Sequence, residues 1–226
     1  MNTIVGASRT FGLANIDPLK DNHTVEVWST PGGKYTDMID LIQNHTILHH
    51  GGPIEEDQTH IYVAAGVCDI TTKLSNPKKH YCEVVFKTEA STSIDNTKSR
   101  ILDLQRHIIK LGHTPIFCTI VPTHLETLNF HYLNKNKTSY LSHSSKYQEM
   151  QDEAMTVFNS INTFIPDINS KLGMTTPFLH RSVMHNTKKS KHYFQYKKLP
   201  HRCHASPELK MKWAIELDHA IQINRK

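Results

Sequence analysis

The alternation of short apolar runs with longer amphipathic segments is the feature that most constrains the fold of this chain. Four apolar runs of four to seven residues end at glycine, proline or polar residues, a pattern typical of buried strands. The predicted strands cover residues 3–6, 25–28, 60–65 and 115–121, and a last short strand is predicted at 177–179.

The segments between these runs have the apolar spacing of helices. Helices are predicted at residues 35–44, 96–111, 144–172 and 206–223. Pro166 predicts a break in the third of them, while Ser206 and Pro207 suit the cap and first position of the last. Strands that alternate with helices predict a parallel sheet covered on both faces. We therefore expect one three-layer α/β domain over residues 1–226, with about five parallel strands in a flavodoxin-like arrangement.

Composition excludes several classes of protein. Hydrophobic residues make up 38% of the chain and charged residues 21%, which is unlike a disordered or collagen-like sequence. The sequence has no apolar stretch long enough to span a membrane and does not begin like a signal peptide. The four cysteines are scattered, which favours reduced thiols over a disulfide framework. We expect an intracellular protein, cytoplasmic or nuclear and not secreted.

Positive charge is concentrated near the C-terminus. Residues 168–207 contain eight basic residues and no acidic one; because the whole chain carries +5, the remainder carries −3. Aromatic residues lie among these charges, as in segments that follow a phosphate backbone and stack on bases. A loop region at about 180–203 holds the candidate nucleic-acid-binding residues Lys188, Lys189, Lys191, Lys197, Lys198 and Arg202. The other interpretation is a solvated loop that keeps the protein soluble.

Four short motifs lie where the predicted strands end or just before the last helix. They are Gly-Ala-Ser-Arg at 6–9, Pro-Gly-Gly at 31–33, Gly-Val-Cys-Asp at 66–69, and His-Arg-Cys-His-Ala-Ser-Pro at 201–207. In this order and spacing they resemble the four blocks of the SGNH, or GDSL-type, hydrolases. The Pro-Gly-Gly block followed by a helix is similar to SGNH domains of retroelement and viral proteins.

The resemblance assigns roles to several residues. It implies that Ser8 is the nucleophile and His204 the base. It also implies that backbone N–H groups of Ser8 and Gly33 (or less favourably Gly32) form part of the oxyanion hole. Cys68 stands where the family has an asparagine donor, and a thiol is a weak donor. His201 stands where the family has the aspartate that orients the base. The loss of one oxyanion donor typically costs roughly 10²–10³ in rate, and loss of the orienting carboxylate about 10⁴.

Other interpretations of these residues stay open. Ser8 suits the N-cap of a helix, and Cys68 suits a small buried side chain. Asp69 or Glu208 could replace the missing triad carboxylate. Histidines and Cys203 around 201–204 suggest metal ligands, but zinc sites need about four ligands in defined spacing. We expect neither a metal nor a cofactor.

Two functions follow from these observations. The first is a protein of the SGNH fold whose esterase activity is impaired or lost, and which uses the segment 168–207 to bind nucleic acid or a protein partner. An SGNH-like domain that binds RNA is a precedent within the family. The second is an active serine esterase that hydrolyses a small acyl ester with a Ser8–His204 dyad. The sequence leaves oligomer formation open.

Overall fold

The computed structural model describes residues 1–49, 59–76, 81–86, 89–124, 129, 144–187, 190–194 and 205–225. The elements, in chain order, are strands β1 (Asn2–Ala7) and β2 (Val25–Thr30), helix α1 (Tyr35–His49), strand β3 (His60–Ala64), helix α2 (Val67–Ile70), strands β4 (Thr71–Asn76) and β5 (Tyr81–Phe86), helix α3 (Ala90–Lys110), strand β6 (Thr114–Phe117), helix α4 (Ser144–Ser170), strands β7 (Met184–Thr187) and β8 (Ser190–Phe194), and helix α5 (Pro207–Asn224). No described helix is both long enough and apolar enough to cross a bilayer.

The central sheet is parallel and has the strand order β2-β1-β3-β6. All four strands begin within one residue of the predicted positions. The predicted helices also form, and α5 begins as expected, because the Ser206 hydroxyl accepts the N–H of Leu209 at 3.1 Å. The α/β fold class is therefore confirmed.

Two hydrophobic clusters lie on opposite faces of the sheet, because successive side chains of a strand point in opposite directions. Val5 of β1 and Val63 of β3 pack with α1, α3 and α4. Their neighbours Ile4 and Tyr62 pack on the other face against α5, where Trp213 is 2% exposed. The result is the predicted three-layer arrangement.

The predicted fifth strand at 177–179 is absent from the described sheet, and a 3-10 helix covers Leu179–Val183 instead. Side chains of α4 occupy the outer edge of β6. The amide of Asn169 accepts the N–H of Phe117 at 2.9 Å and donates to its carbonyl at 2.8 Å. Asn162 pairs in the same way with Ile120, just past the strand. These amides satisfy backbone groups that another strand would have paired.

The predicted break at Pro166 does not occur, since α4 is helical on both sides of this residue. Asn162 precedes the proline and Asn169 follows it, and both are bonded to the chain in or just after β6. Ile161 and Ile165 are fully buried in the core on the same helix. Tertiary contacts on both sides of the proline therefore outweigh its unfavourable effect on the helix.

Part of the predicted basic loop region is an antiparallel hairpin. Strands β7 and β8 pair with Met184 opposite Phe194 and Thr187 opposite Ser190. Lys191 lies in β8, whereas Lys188, Lys189, Lys197, Lys198 and Arg202 lie outside the described residues. A second hairpin, β4 paired with β5, precedes α3.

We predict that Asn169→Ala lowers the free energy of unfolding by about 3 kcal/mol, because it leaves the N–H and carbonyl of Phe117 buried without these partners. Asn159→Ala is the matched control, since Asn159 is exposed on the same helix. Urea denaturation of the two variants measures the difference. Equal stability of the two variants would contradict this role for Asn169.

Candidate active site

Three of the motif residues follow adjacent strands at one edge of the sheet. The register places Ala7 beside Thr30 of β2, and Gly6 beside Ala64 of β3. The turns that carry Ser8, Gly33 and Cys68 therefore begin at the carboxyl ends of three neighbouring parallel strands. This edge is where open α/β sheets bind their ligands.

Ser8 lies in a tight turn after β1 and is half-buried. The turn is held by Thr10, whose N–H and hydroxyl both donate to the Ala7 carbonyl, at 3.0 and 2.8 Å. The Thr10 hydroxyl also lies 2.7 Å from that of Ser29 on β2. Because a Cβ atom at Gly6 would lie 2.7 Å from the Ala64 carbonyl and would overlap Thr10, only glycine permits this packing.

Ser8 does not cap a helix, because the next helical turn is a 3-10 helix at Leu13–Asn15 whose cap residue is Gly12. The carbonyl of Ser8 instead accepts the N–H of Phe11 at 3.4 Å. The N-cap interpretation of Ser8 is therefore wrong.

The turn after β2 carries the two glycines of the second motif. Gly33 is buried, and its N–H donates to the Thr30 carbonyl at 3.2 Å. Helix α1 begins two residues later at Tyr35. The predicted oxyanion donor at Gly33 thus has a backbone acceptor within its own turn.

The third motif forms the short helix α2, preceded by Gly66 at φ +114°, a conformation that other residues rarely adopt. Cys68 is a reduced cysteine of intermediate exposure. The next residue, Asp69, has a fully buried carboxylate. This carboxylate accepts the backbone N–H of Tyr35 at 3.0 Å and forms an ion pair with Arg100 of α3 at 3.1 Å.

These contacts bear on the two carboxylates that could have completed a triad. Asp69 is held by Tyr35 at the start of α1 and by Arg100. The Glu208 side chain is 76% exposed and lies 3.3 Å from the ammonium group of Lys212. Both carboxylates therefore already have partners among the described residues.

The predicted base His204 and its neighbour His201 lie outside the described residues, and the chain is described again from Ala205. Ala205 is buried in the same cluster as Ile4 and Leu13. The ammonium group of Lys210 donates to the Phe11 carbonyl at 2.8 Å. The first turn of α5 therefore lies against the turn that begins at Ser8.

Sequence reasoning missed Tyr35, Arg9 and Arg100. Tyr35 is fully buried, and its hydroxyl donates to the Ala65 carbonyl at 3.3 Å. Burial, together with the nearby Asp69 carboxylate, raises the pKa of this hydroxyl well above its usual value, so it stays protonated. The sequence feature that could have identified Tyr35 as a site residue is its position two residues after Gly33.

Arg9 follows Ser8 directly, and its guanidinium donates to the Val121 carbonyl and to the Thr123 hydroxyl. These contacts connect the Ser8 turn to the chain that follows β6. The sequence around Arg100 does not indicate its role, because its partner Asp69 is 31 residues away in sequence. Within the described part of the chain, no group of three or more histidine, cysteine or acidic side chains is arranged to hold a metal ion.

Comparison with solved structures shows that the fold of this chain is similar to that of GDSL-type hydrolases. A GDSL-like lipase from Bacteroides thetaiotaomicron has a TM-score of 0.60 at 11% identity, over 98% of this chain and 87% of that one. This chain has the SGNH fold. A candidate acylhydrolase from Bacteroides fragilis also has a TM-score of 0.60 at 11% identity, over 100% of this chain and 88% of the other.

A member of the lipolytic G-D-S-L family from Veillonella parvula has a TM-score of 0.54 at 9% identity, covering 98% of this chain and 97% of that chain. At such identities the likeness is one of fold. No family model and no curated protein matches the sequence.

We predict that Asp69→Ala lowers the free energy of unfolding by about 3 kcal/mol, the low end for a broken buried pair because the Arg100 side chain is 34% exposed. Asp103→Ala is the control, since Asp103 pairs with Arg106 on the same helix but is 50% exposed. Its effect should stay within about 0.5 kcal/mol. Thermal and urea unfolding measure both, and a similar small loss for the two variants would refute the role given to Asp69.

Proposed function

We propose that this protein of the SGNH fold has impaired or lost esterase activity and acts as an intracellular nucleic-acid-binding module. The observation that carries the first half is the position of Asp69. The buried carboxylate beside Cys68 accepts the N–H of Tyr35 and pairs with Arg100, contacts that favour a structural role over the orientation of a catalytic histidine. The histidine at position 201 brings no negative charge in its place.

The oxyanion hole is weakened as well. Cys68 offers a thiol where hydrolases of this family have an amide. The Gly33 N–H, the expected backbone donor, faces the Thr30 carbonyl at 3.2 Å. Together, a missing carboxylate and a missing donor remove most of the rate advantage of an ester hydrolase, since they cost about 10⁴ and roughly 10²–10³ when taken singly.

The alternative is an active esterase that uses a Ser8–His204 dyad on a small acyl ester. Two observations favour it: Lys210 donates to the Phe11 carbonyl, and Ala205 is buried in the same hydrophobic cluster as Leu13. These contacts bring the residues just after position 204 close to the Ser8 turn. A neutral imidazole there could accept the Ser8 proton without a carboxylate, at a low rate.

We predict that Cys68→Asn combined with His201→Asp raises the rate of Ser8 labelling by a fluorophosphonate probe by at least about 100-fold, because it restores an oxyanion donor and the orienting charge. Hydrolysis of a short-chain aryl ester should rise in parallel. Adding Ser8→Ala must abolish both signals, and Cys68→Ala with His201→Ala is the control for loss of the native side chains. Rapid labelling of the unaltered protein would instead support the active esterase.

The second half of the proposal rests on charge. The segment 168–207 has eight basic residues and no acidic one. Two of them, Lys171 and Arg181, are described and exposed. A basic segment of this kind favours a polyanion over a protein partner, because phosphate contacts release counterions from the nucleic acid. The Pro-Gly-Gly turn at 31–33 followed by α1 supports kinship with the SGNH domains of retroelement and viral proteins.

We predict that Lys188→Glu with Lys189→Glu weakens binding of a fluorescent 20-nucleotide RNA at least about tenfold and lowers the slope of log K against log salt by about 1.4, since each single-strand phosphate contact contributes about 0.7. Lys20→Glu with Lys110→Glu makes the same change of charge at exposed positions elsewhere and should have a smaller effect. Equal losses in the two variants, or a flat salt response, would count against binding through this segment. A mass that rises with protein concentration would indicate assembly instead.

A further inference from the structure

An arginine–aromatic stack lies at the surface within the basic segment. The guanidinium carbon of Arg181 lies 3.6 Å from the centre of the Phe178 ring. The backbone holds the two residues together, because the N–H of Arg181 donates to the Phe178 carbonyl at 3.0 Å. Arg181 is exposed and Phe178 is half-buried, so the stack has an inner aromatic layer and an outer guanidinium layer.

The stack is fixed to the body of the protein. The N–H of Phe178 donates to the Glu216 carboxylate of α5 at 2.9 Å. The indole N–H of Trp213, also on α5, donates to the Leu179 carbonyl at 3.2 Å and to the Ser182 hydroxyl at 2.9 Å. The turn that presents Arg181 is therefore anchored on both sides of that residue. Because the turn is already ordered, binding of a ligand to it costs little conformational entropy.

We infer that the Arg181–Phe178 stack is a base-stacking site for single-stranded nucleic acid, an inference that rests on the nucleic-acid part of the proposed function. A guanidinium group is planar, so while one face lies on Phe178 the opposite face can stack on a nucleobase. Its N–H edge can donate to a phosphate oxygen at the same time. The lack of acidic residues over 168–207 favours a polyanion at this place, and the Glu216 carboxylate, which lies outside that segment, accepts the N–H of Phe178.

The same geometry selects against a duplex. In a duplex both faces of each base are covered by neighbouring bases, and only the grooves and backbone are accessible. A single strand exposes base faces, and stacking on an aromatic or arginine layer contributes roughly 5- to 150-fold in affinity per base. The phosphates alone would attract either form.

Arg181→Lys tests the stack, because lysine keeps the charge and loses the plane. Binding is measured for the full chain by fluorescence anisotropy with a 20-nucleotide single strand, the matching duplex, and an abasic strand of the same length. The expected result is at least about fivefold weaker binding of the normal single strand, no change with the abasic strand, and an unchanged salt slope. Arg106→Lys, at an exposed arginine on α3, is the control and should leave all three affinities unchanged.

Three outcomes would overturn the inference. If Arg181→Lys binds the single strand as the unaltered protein does, while Lys188→Glu with Lys189→Glu weakens it, the basic segment binds nucleic acid without this stack. Equal affinity of the unaltered protein for single strand and duplex would also exclude a stacking site. Failure of the unaltered protein to bind any of the three probes would remove both this inference and the nucleic-acid part of the proposed function.

Discussion

The candidate active site depends on the hydrogen bond and the ion pair that the buried carboxylate of Asp69 forms. Transfer of a carboxylate out of water costs several kcal/mol unless donors replace its hydration. Here the donors are the N–H of Tyr35 at the start of α1 and the guanidinium of Arg100 on α3. The positive end of α1 adds to this stabilisation. Gly33 lies two residues before Tyr35, and Cys68 lies next to Asp69. The contact between Tyr35 and Asp69 therefore sets the distance between the turn after β2 and the turn after β3.

The residues that hold the sheet edge and those predicted to take part in hydrolysis belong to different sets. Gly6 is required because a larger residue would collide with Thr10 and Ala64, whether or not an ester is cleaved. By the resemblance, Cys68 and His201 stand where hydrolases of this kind have a hydrogen-bond donor and a negative charge. The motif glycine at position 6 therefore reflects the close packing of the sheet edge, and it does not by itself indicate an enzyme.

Local patterns predicted the four strands of the central sheet and most helices, because the burial of apolar residues and the capping by Ser206 act over a few neighbouring positions. The missing fifth strand and the unbroken α4 were not predictable in this way. Both follow from Asn162 and Asn169, whose partners in and after β6 are 42 and 52 residues away. At the candidate site, the sequence order located the three turns, but the pairing of Asp69 with Arg100 depends on how α3 packs.

The amides of Asn162 and Asn169 also limit what can attach to the molecule. Growth of a sheet by a foreign strand, whether in domain exchange or in fibril formation, needs a row of vacant backbone donors and acceptors. At Phe117 and Ile120 those groups are taken by side chains from the same chain. This side of the protein is consequently a poor template for self-propagating aggregation.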